Sequence, residues 1–478
     1  MEYCFVFFVS EHAYNKLFQN MFSPSTFDEK GWWDTAALGM NEECVIQHHR
    51  FPAFPAGRTH VSLLHAVFGD FLYTYQNEVA RTNEDNEFLA NFCKEMARRH
   101  HDKNSRLKSG NRLLETYLKQ SIKCCEVGSY YTDGTIMWSL AADAFITAKP
   151  IAPEMNVEKM VLVNIEYKNE IGGRSGDPTM RNIGYFIHWL KECRLQQAYN
   201  LRLPCFLVSI AGPLIAIYGV VAYGGTIHCD PLTPYLHALP IIDDIYSWRK
   251  LGSAMRALKL SIPKLHQYYS DLRMRKDIVP IYQNHPYPYL DQILVDNNQA
   301  IKLVYDNRLA RRVFLARIPT TGRKVVVKFI QSVLDVDSLI RGQRALASMG
   351  SAPELVGYAQ IPPNWTVTVS AFIEDAEWYE STPERDTNLV AALQCLHELE
   401  IVHGDIRHNN VLVLPNSSRV FLVDFDFSGL HGVARYPDRL NHAEIRWPAG
   451  ATDGSFLRVE HDREWANCMM RYKCMSMS

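Results

Sequence analysis

The chain has 478 residues, of which 47% are hydrophobic and 21% charged. That length exceeds one ordinary core and predicts two or three globular domains. A formal net charge of −2 excludes a general polyanion binder, so any nucleic-acid contact has to come from a local patch.

Eleven cysteines are scattered, with no C-x-x-C pair and no zinc-like His/Cys spacing. This predicts reduced thiols in an intracellular compartment, cytoplasm or nucleus, rather than a disulfide scaffold. Residues 1–60 are left unassigned, with Phe5–Val9 as a candidate strand and the stretch from Phe51 to Gly57 as a loop. The first ten residues are apolar but carry Glu2 and no basic segment, which argues against a signal peptide.

From 61 to 120 the pattern is helical: Phe88, Phe92 and Met96, then Leu113, Leu114 and Leu118, recur at helical spacing. Between them lie Lys94, Arg98, Arg99, Lys103, Arg106, Lys108 and Arg112. This cluster is either a track for a phosphate backbone or a solvated helix face. Tyr131–Ile136 is a turn entering a strand. Met160–Asn169 is a strand in which Leu162, Asn164, Glu166 and Lys168 share one face.

Asp133 followed by Glu166-x-Lys168 resembles the core of the restriction-endonuclease-like (PD-(D/E)xK) α/β fold. The resemblance implies a metal-dependent DNA nuclease, with Mg²⁺ held by Asp133 and Glu166 and with Lys168 at the attacking water or the phosphate. The following helix, Asp177 to Leu195, opens Asp-Pro-Thr-Met-Arg-Asn where related nucleases often carry Gln.

Leu203 to Cys229 is uncharged for 27 residues, but Pro204, Gly212-Pro213, Gly219 and Gly224-Gly225 interrupt it. Two buried strands, Cys205–Ile210 and Leu214–Tyr223, fit better than a membrane span. A helical region from Ile245 to Leu272 follows. Pro280, Pro286 and Pro288 among tyrosines then mark a linker. These patterns divide the chain into a domain at 61–275, a linker at 276–298 and a second domain at 299–478.

The second domain opens with three strands, Ile301–Tyr305, Arg312–Ala316 and Lys324–Phe329, and Lys328 stands among apolar residues of the third. Thr366–Phe372 is a further strand, leading to a hinge at Ile373-Glu374-Asp375. A helix, Thr387–Glu398, delivers His403-Gly404-Asp405-Ile406-Arg407-His408-Asn409-Asn410. Val411 and Val413, then Phe421 and Val423, form a hairpin around Pro415-Asn416-Ser417-Ser418, which turns Asp424 back toward Asn410. One carboxylate to take a hydroxyl proton, with a carboxylate and an amide for a hard cation, is the set that phosphoryl transfer requires.

The spacing resembles the catalytic and metal-binding loops of the protein-kinase-like superfamily. That resemblance implies a compact two-lobed fold with Asp405 as base, Asn410 and Asp424 on Mg²⁺, Lys328 on the ATP phosphates and Arg407 at the transferring phosphate. This sequence departs from the pattern in three places. Asp306–Arg311 holds no glycine, so Arg308, Arg311 or Arg312 would supply charge there. No Glu lies between Lys328 and Glu354, which leaves Asp335 or Asp337 to pair with the lysine. Gly404 stands where many kinases carry Arg.

Joined in one chain, and with Arg435-Tyr436-Pro437 and His461-Asp462 downstream, the two halves resemble the crinkler-type effectors. That likeness implies delivery into host cells and action on host protein or DNA. No G-x-x-x-x-G-K-[ST] segment occurs in the chain. The leading expectation is an ATP- and Mg²⁺-dependent kinase acting on a protein Ser or Thr. The alternatives are the DNA nuclease and a pseudokinase that acts by binding.

Overall fold

A computed structural model describes residues 46–48, 59–127, 130–139, 159–169, 177–193, 201–239, 245–274, 287–294, 300–331 and 335–471. The candidate strand Phe5–Val9, the loop from Phe51 to Gly57 and most of 276–298 lie outside the described residues. The chain forms two compact units, Met1–Leu290 and Asp291–Ser478, both mixed α+β.

The first unit begins with β1 (Ile46–His48) and continues through α1 (Val61–Leu64), α2 (Ala66–Gln76), α3 (Asn83–Met96) and α4 (Lys103–Leu118). A small hairpin of β2 (Glu126–Val127) and β3 (Tyr130–Tyr131) leads to β4 (Gly134–Ser139) and β5 (Lys159–Lys168). The rest is α5 (Pro178–Glu192), β6 (Leu203–Ala211), β7 (Leu214–Tyr223), β8 (Thr226–Pro231), β9 (Leu236–His237) and α6 (Ile245–Met274). The main sheet runs β1-β8-β7-β6-β5-β4, with β9 on β7. β4 and β5 are antiparallel, whereas β5 and β6 are parallel and joined through α5.

The uncharged run from Leu203 forms the β6–β7 hairpin with its turn at Gly212, and all of β6 is buried. Its hydrophobicity is therefore spent on a sheet centre covered on both faces, where strands read as continuous apolar runs. No described helix is long and apolar enough to cross a membrane. Close packing fixes two glycines: a Cβ on Gly219 would stand 2.8 Å from the Phe68 ring, and one on Gly110 would stand 2.4 Å from the Tyr167 hydroxyl. The basic stretch does not form one continuous helix. α3 ends at Met96 and α4 starts at Lys103, so the four-residue spacings Lys94/Arg98 and Arg99/Lys103 do not build a common face. Arg106 is buried and donates to the carbonyls of Met96, Gly212 and Arg98. It is an internal strut, not a phosphate contact.

His65 ends α1 and caps α2, where its Nδ1 accepts from Val67 N at 3.2 Å. Burial, reinforced by Arg202, lowers its pKa to about 3. The folded state thus takes up this proton more weakly than the unfolded state, whose histidine titrates near 6.5. Stability from His65 is complete above that pH and is lost as the pH falls toward 3. We expect the first unit to lose about 2–3 kcal/mol between pH 7 and 4.5 through this group. His65→Asn retains a capping acceptor, so urea midpoints across that range should flatten measurably in the variant.

The second unit starts with a hairpin of β10 (Gln292–Leu294) and β11 (Ala300–Lys302). Five antiparallel strands follow: β12 (Val304–Ala310), β13 (Val313–Arg317), β14 (Lys324–Gln331), β15 (Leu355–Ile361) and β16 (Trp365–Ala371). Their order is β12-β13-β14-β16-β15, and α7 (Val336–Ser348) lies between β14 and β15 in the chain. Then come β17 (Glu377–Trp378), α8 (Pro383–Glu398), β18 (Ile401–Val402), β19 (Val411–Val413), β20 (Val420–Leu422), β21 (Gly429–Leu430) and α9 (Val459–Arg471).

α8 starts earlier than its hydrophobic stripe suggests, because Thr382 caps it and Pro383 occupies the first turn. The glycine-free stretch Asp306–Arg311 is mostly strand, not loop. β12 carries two register irregularities and reaches Ala310, opposite Val313, and Arg311-Arg312 makes the turn. Arg312 takes the left-handed conformation there, with φ at 66°.

Candidate functional site

Five of the residues singled out in the second domain come together there. Strand β14 places Lys328 opposite Val313 and Thr368 in the centre of the five-stranded sheet. Its Nζ lies 2.5 Å from Asp424 Oδ1 and 2.7 Å from Asp426 Oδ1. Burial works against the ammonium, but the two carboxylates outweigh it and hold Lys328 above the ordinary lysine value. Burial likewise opposes the Asp424 charge, and Lys328 overcomes it, leaving Asp424 below the usual carboxylate range. Asp426 goes the other way: burial, with Asp424 beside it, pushes it up to about 7 despite the lysine.

The β19–β20 hairpin sets the spacing. Val411 faces Leu422, and Val423 N donates to Asn410 O at 3.0 Å, so Asn410 and Asp424 leave the hairpin at the same end. Asn410 Nδ2 donates to both the backbone oxygen and Oδ2 of Asp405, each at 2.8 Å. Its side-chain oxygen is then the atom it can offer to a cation. Asp405 is 6% exposed. Burial raises its pKa, and Arg407 opposes the rise. Arg407 straddles the carboxylate, with Nε 2.6 Å from Oδ1 and Nη2 2.8 Å from Oδ2. In this structure the arginine therefore holds the carboxylate itself.

Two further carboxylates belong to this site, although the sequence patterns assigned them no part. Asp426 is the second partner of Lys328, the place expected of Asp335 or Asp337. Asp335 instead caps α7, accepting from Ser338 N at 3.0 Å. The signal lay in the repeated Asp-Phe of Asp424-Phe425-Asp426-Phe427 together with the absence of any acid within α7 beyond its first turn. Asp462, fully buried on α9, accepts from His403 N at 2.8 Å and Gly404 N at 2.9 Å. It pins the backbone that carries Asp405. His403 is buried against Val423 O, and burial lowers its pKa.

Gly404 adopts φ +82°, and a Cβ there would stand 3.0 Å from Phe427 O. A left-handed position facing a backbone carbonyl excludes larger side chains. Gly404→Ala should cost the second unit roughly 1–2 kcal/mol, read as a lower urea midpoint with no change in slope.

A separate cluster lies in the first unit. Asp133, just ahead of β4, accepts from Tyr167 N at 2.7 Å through Oδ2, which ties it to β5. Glu166 is fully buried on β5, and burial, with Asp133 nearby, pushes it up to about 7 against Lys103 and Arg181. Lys168 is buried at the end of the same strand. Two cations from other elements meet the pair: Lys103 Nζ lies 2.6 Å from Asp133 Oδ2 and 3.2 Å from Glu166 Oε1, and Arg181 Nη1 lies 3.0 Å from Glu166 Oε1. Beside them runs a chain of hydrogen bonds from Thr135 through Asn164 and Asn182 to Val208 O. Among the described residues, no three or more His, Cys, Asp or Glu side chains gather as a metal-ligating group.

No family model matches the chain, and no curated protein matches it. Among solved structures it is similar to PK-1, the kinase of the Cydia pomonella granulovirus, at 14% identity and a TM-score of 0.30 over 35% of this chain and 68% of that one. It is also similar to vaccinia related kinase 3, at 17% identity and a TM-score of 0.27 over 37% of this chain and 66% of that one.

Proposed function

We propose that the second unit is a protein-kinase-like phosphotransferase that uses ATP and Mg²⁺ and delivers phosphate to a hydroxyl, a Ser or Thr of a protein. The observation that supports this most is the hairpin geometry. Asn410 and Asp424 leave one end of β19–β20 together, Lys328 is bound to Asp424, and Asp405 is bound to Asn410. The donor set suits the ion: a carboxylate and an amide oxygen are hard ligands of the kind magnesium takes. Bound there, the ion would neutralise phosphate charge.

The chain's own residues divide the remaining work. Lys328 can exchange its carboxylate partners for phosphate oxygens, and Asp426 keeps it aimed when none is present. Asp405 orients the acceptor hydroxyl and takes its proton. Arg407, 29% exposed at its side chain, can move from Asp405 to the transferring phosphate. That move would free the base at the moment it is needed. Asp462 keeps the loop in place.

The test is incubation of the purified full chain with labelled ATP and Mg²⁺ or Mn²⁺ against a broad panel of protein and small-molecule acceptors. Label should appear on protein serine or threonine. A well-folded chain that labels no acceptor, itself included, would falsify the proposal.

A further inference from the structure

We infer that the Asp133/Glu166 carboxylate pair carries its counter-ions within the protein, as Lys103 and Arg181, and holds no divalent metal. The residue pattern raises the opposite expectation, since a carboxylate just ahead of β4 and one on β5 are where a nuclease-like fold would seat Mg²⁺. The residues present do not fit that ion.

Three observations carry the inference. The first is position: the Lys103 ammonium bridges Asp133 Oδ2 at 2.6 Å and Glu166 Oε1 at 3.2 Å, so a cation already joins the two carboxylates. The second is the use of each oxygen. Asp133 Oδ2 takes both Lys103 and the Tyr167 N–H, and Glu166 Oε1 takes both Lys103 and Arg181. Glu166 Oε2 is buried without a hydrogen-bond partner. Together with Asp133 Oδ1 that makes two oxygens, still far short of the near-octahedral oxygen shell that magnesium requires. The third is charge: Lys103 and Arg181 already stand against the two carboxylates. A metal entering the cluster would face Lys103 and Arg181 at short range in a buried setting, where repulsion is poorly screened.

The elements that deliver the cations also explain why the cluster is fixed. Lys103 is the first residue of α4, which Asp102 caps through Ser105 N at 2.8 Å. Arg181 stands in the first turn of α5, which Asp177 caps at Thr179 N and Met180 N. Both helices are thus anchored at the end that presents the cation. Arg181 falls within the Asp-Pro-Thr-Met-Arg-Asn segment, where the nuclease pattern expects Gln. On this account the pair does not support metal-assisted hydrolysis.

Manganese binding to the full chain, followed by electron paramagnetic resonance, tests this. The Asp424→Ala background removes the carboxylate proposed to hold metal in the second unit, so any remaining stoichiometric site reports the first unit. With Lys103 and Arg181 present, no site should fill below millimolar Mn²⁺. Adding Lys103→Ala and Arg181→Gln should create one site at least 10-fold tighter, and Glu166→Gln should abolish it again. Should that variant fail to fold by circular dichroism, Lys103→Gln, which keeps the length of the side chain, replaces it with the same expectation. A stoichiometric site that Glu166→Gln removes while Lys103 and Arg181 are intact overturns the inference. So does a folded double variant that still binds nothing, because the two cations would then not be what excludes the ion.

Discussion

Asp405→Asn should lower phosphate transfer by roughly 10²–10⁴-fold, the range that a positioned proton acceptor contributes, and leave the thermal unfolding of the second unit about where it was. The two halves of this expectation have separate physical causes. Asparagine keeps an oxygen where Asn410 Nδ2 donates at 2.8 Å, so the loop retains that hydrogen bond. Arg407 loses an ionic partner, but its side chain is 29% exposed and water can replace the carboxylate. The variant lacks only a group able to accept the hydroxyl proton. A second readout separates chemistry from structure. Burial raises the Asp405 pKa, so wild-type activity should fall on the acid side at a higher pH than an ordinary aspartate would impose. Residual activity in the variant should lack that limb. Activity retained within a few-fold of wild type would remove Asp405 from the reaction, whatever the acceptor.

What could be read in advance depended on how local each signal was. The β6–β7 hairpin was legible because Pro204 and Gly212-Pro213 break a run that otherwise has helical-span length, and the structure turns at Gly212. Asp405, Asn410 and Asp424 were legible because a short hairpin with a turn-forming tip forces its flanks together. Lys103 was not legible as the partner of Asp133 and Glu166. It sat in a row of basic residues, and a periodicity argument treats such a row as one face. The break between Met96 and Lys103 divides that row between two helices, and the ammonium then reaches a strand 63 residues away. Asp426 was hidden by its neighbour: Asp424 accounted for the motif, and only the lack of an acid deeper in α7 hinted that Lys328 needed another partner. In each missed case the deciding contact was long-range and electrostatic, which side-chain periodicity does not encode.

Asp462 shows the same limit, and it supports the other large expectation. Asp462→Ala should destabilise the second unit by roughly 3–5 kcal/mol and abolish transfer, even though the residue lies outside the reacting trio. Its carboxylate is fully buried and accepts from three donors: His403 N at 2.8 Å, Gly404 N at 2.9 Å and His397 Nε2 at 3.1 Å. Removing it leaves two backbone N–H groups inside the protein with neither partner nor water, and each such group costs about 1–3 kcal/mol. Those two amides immediately precede Asp405, and Gly404 is held at φ +82°, a conformation with little local stabilisation of its own. Amide hydrogen exchange at His403 and Gly404 is the decisive measurement. In Asp462→Ala both should lose protection by more than the global loss of stability explains, because the loop opens before the unit unfolds. Asp462→Asn should recover less than half of the deficit, since its oxygen accepts from one amide while its NH₂ opposes the other donors. Equal loss of protection throughout the unit would instead make Asp462 an ordinary core residue, and the placement of Asp405 would then have to come from the β18 and β19 backbone alone.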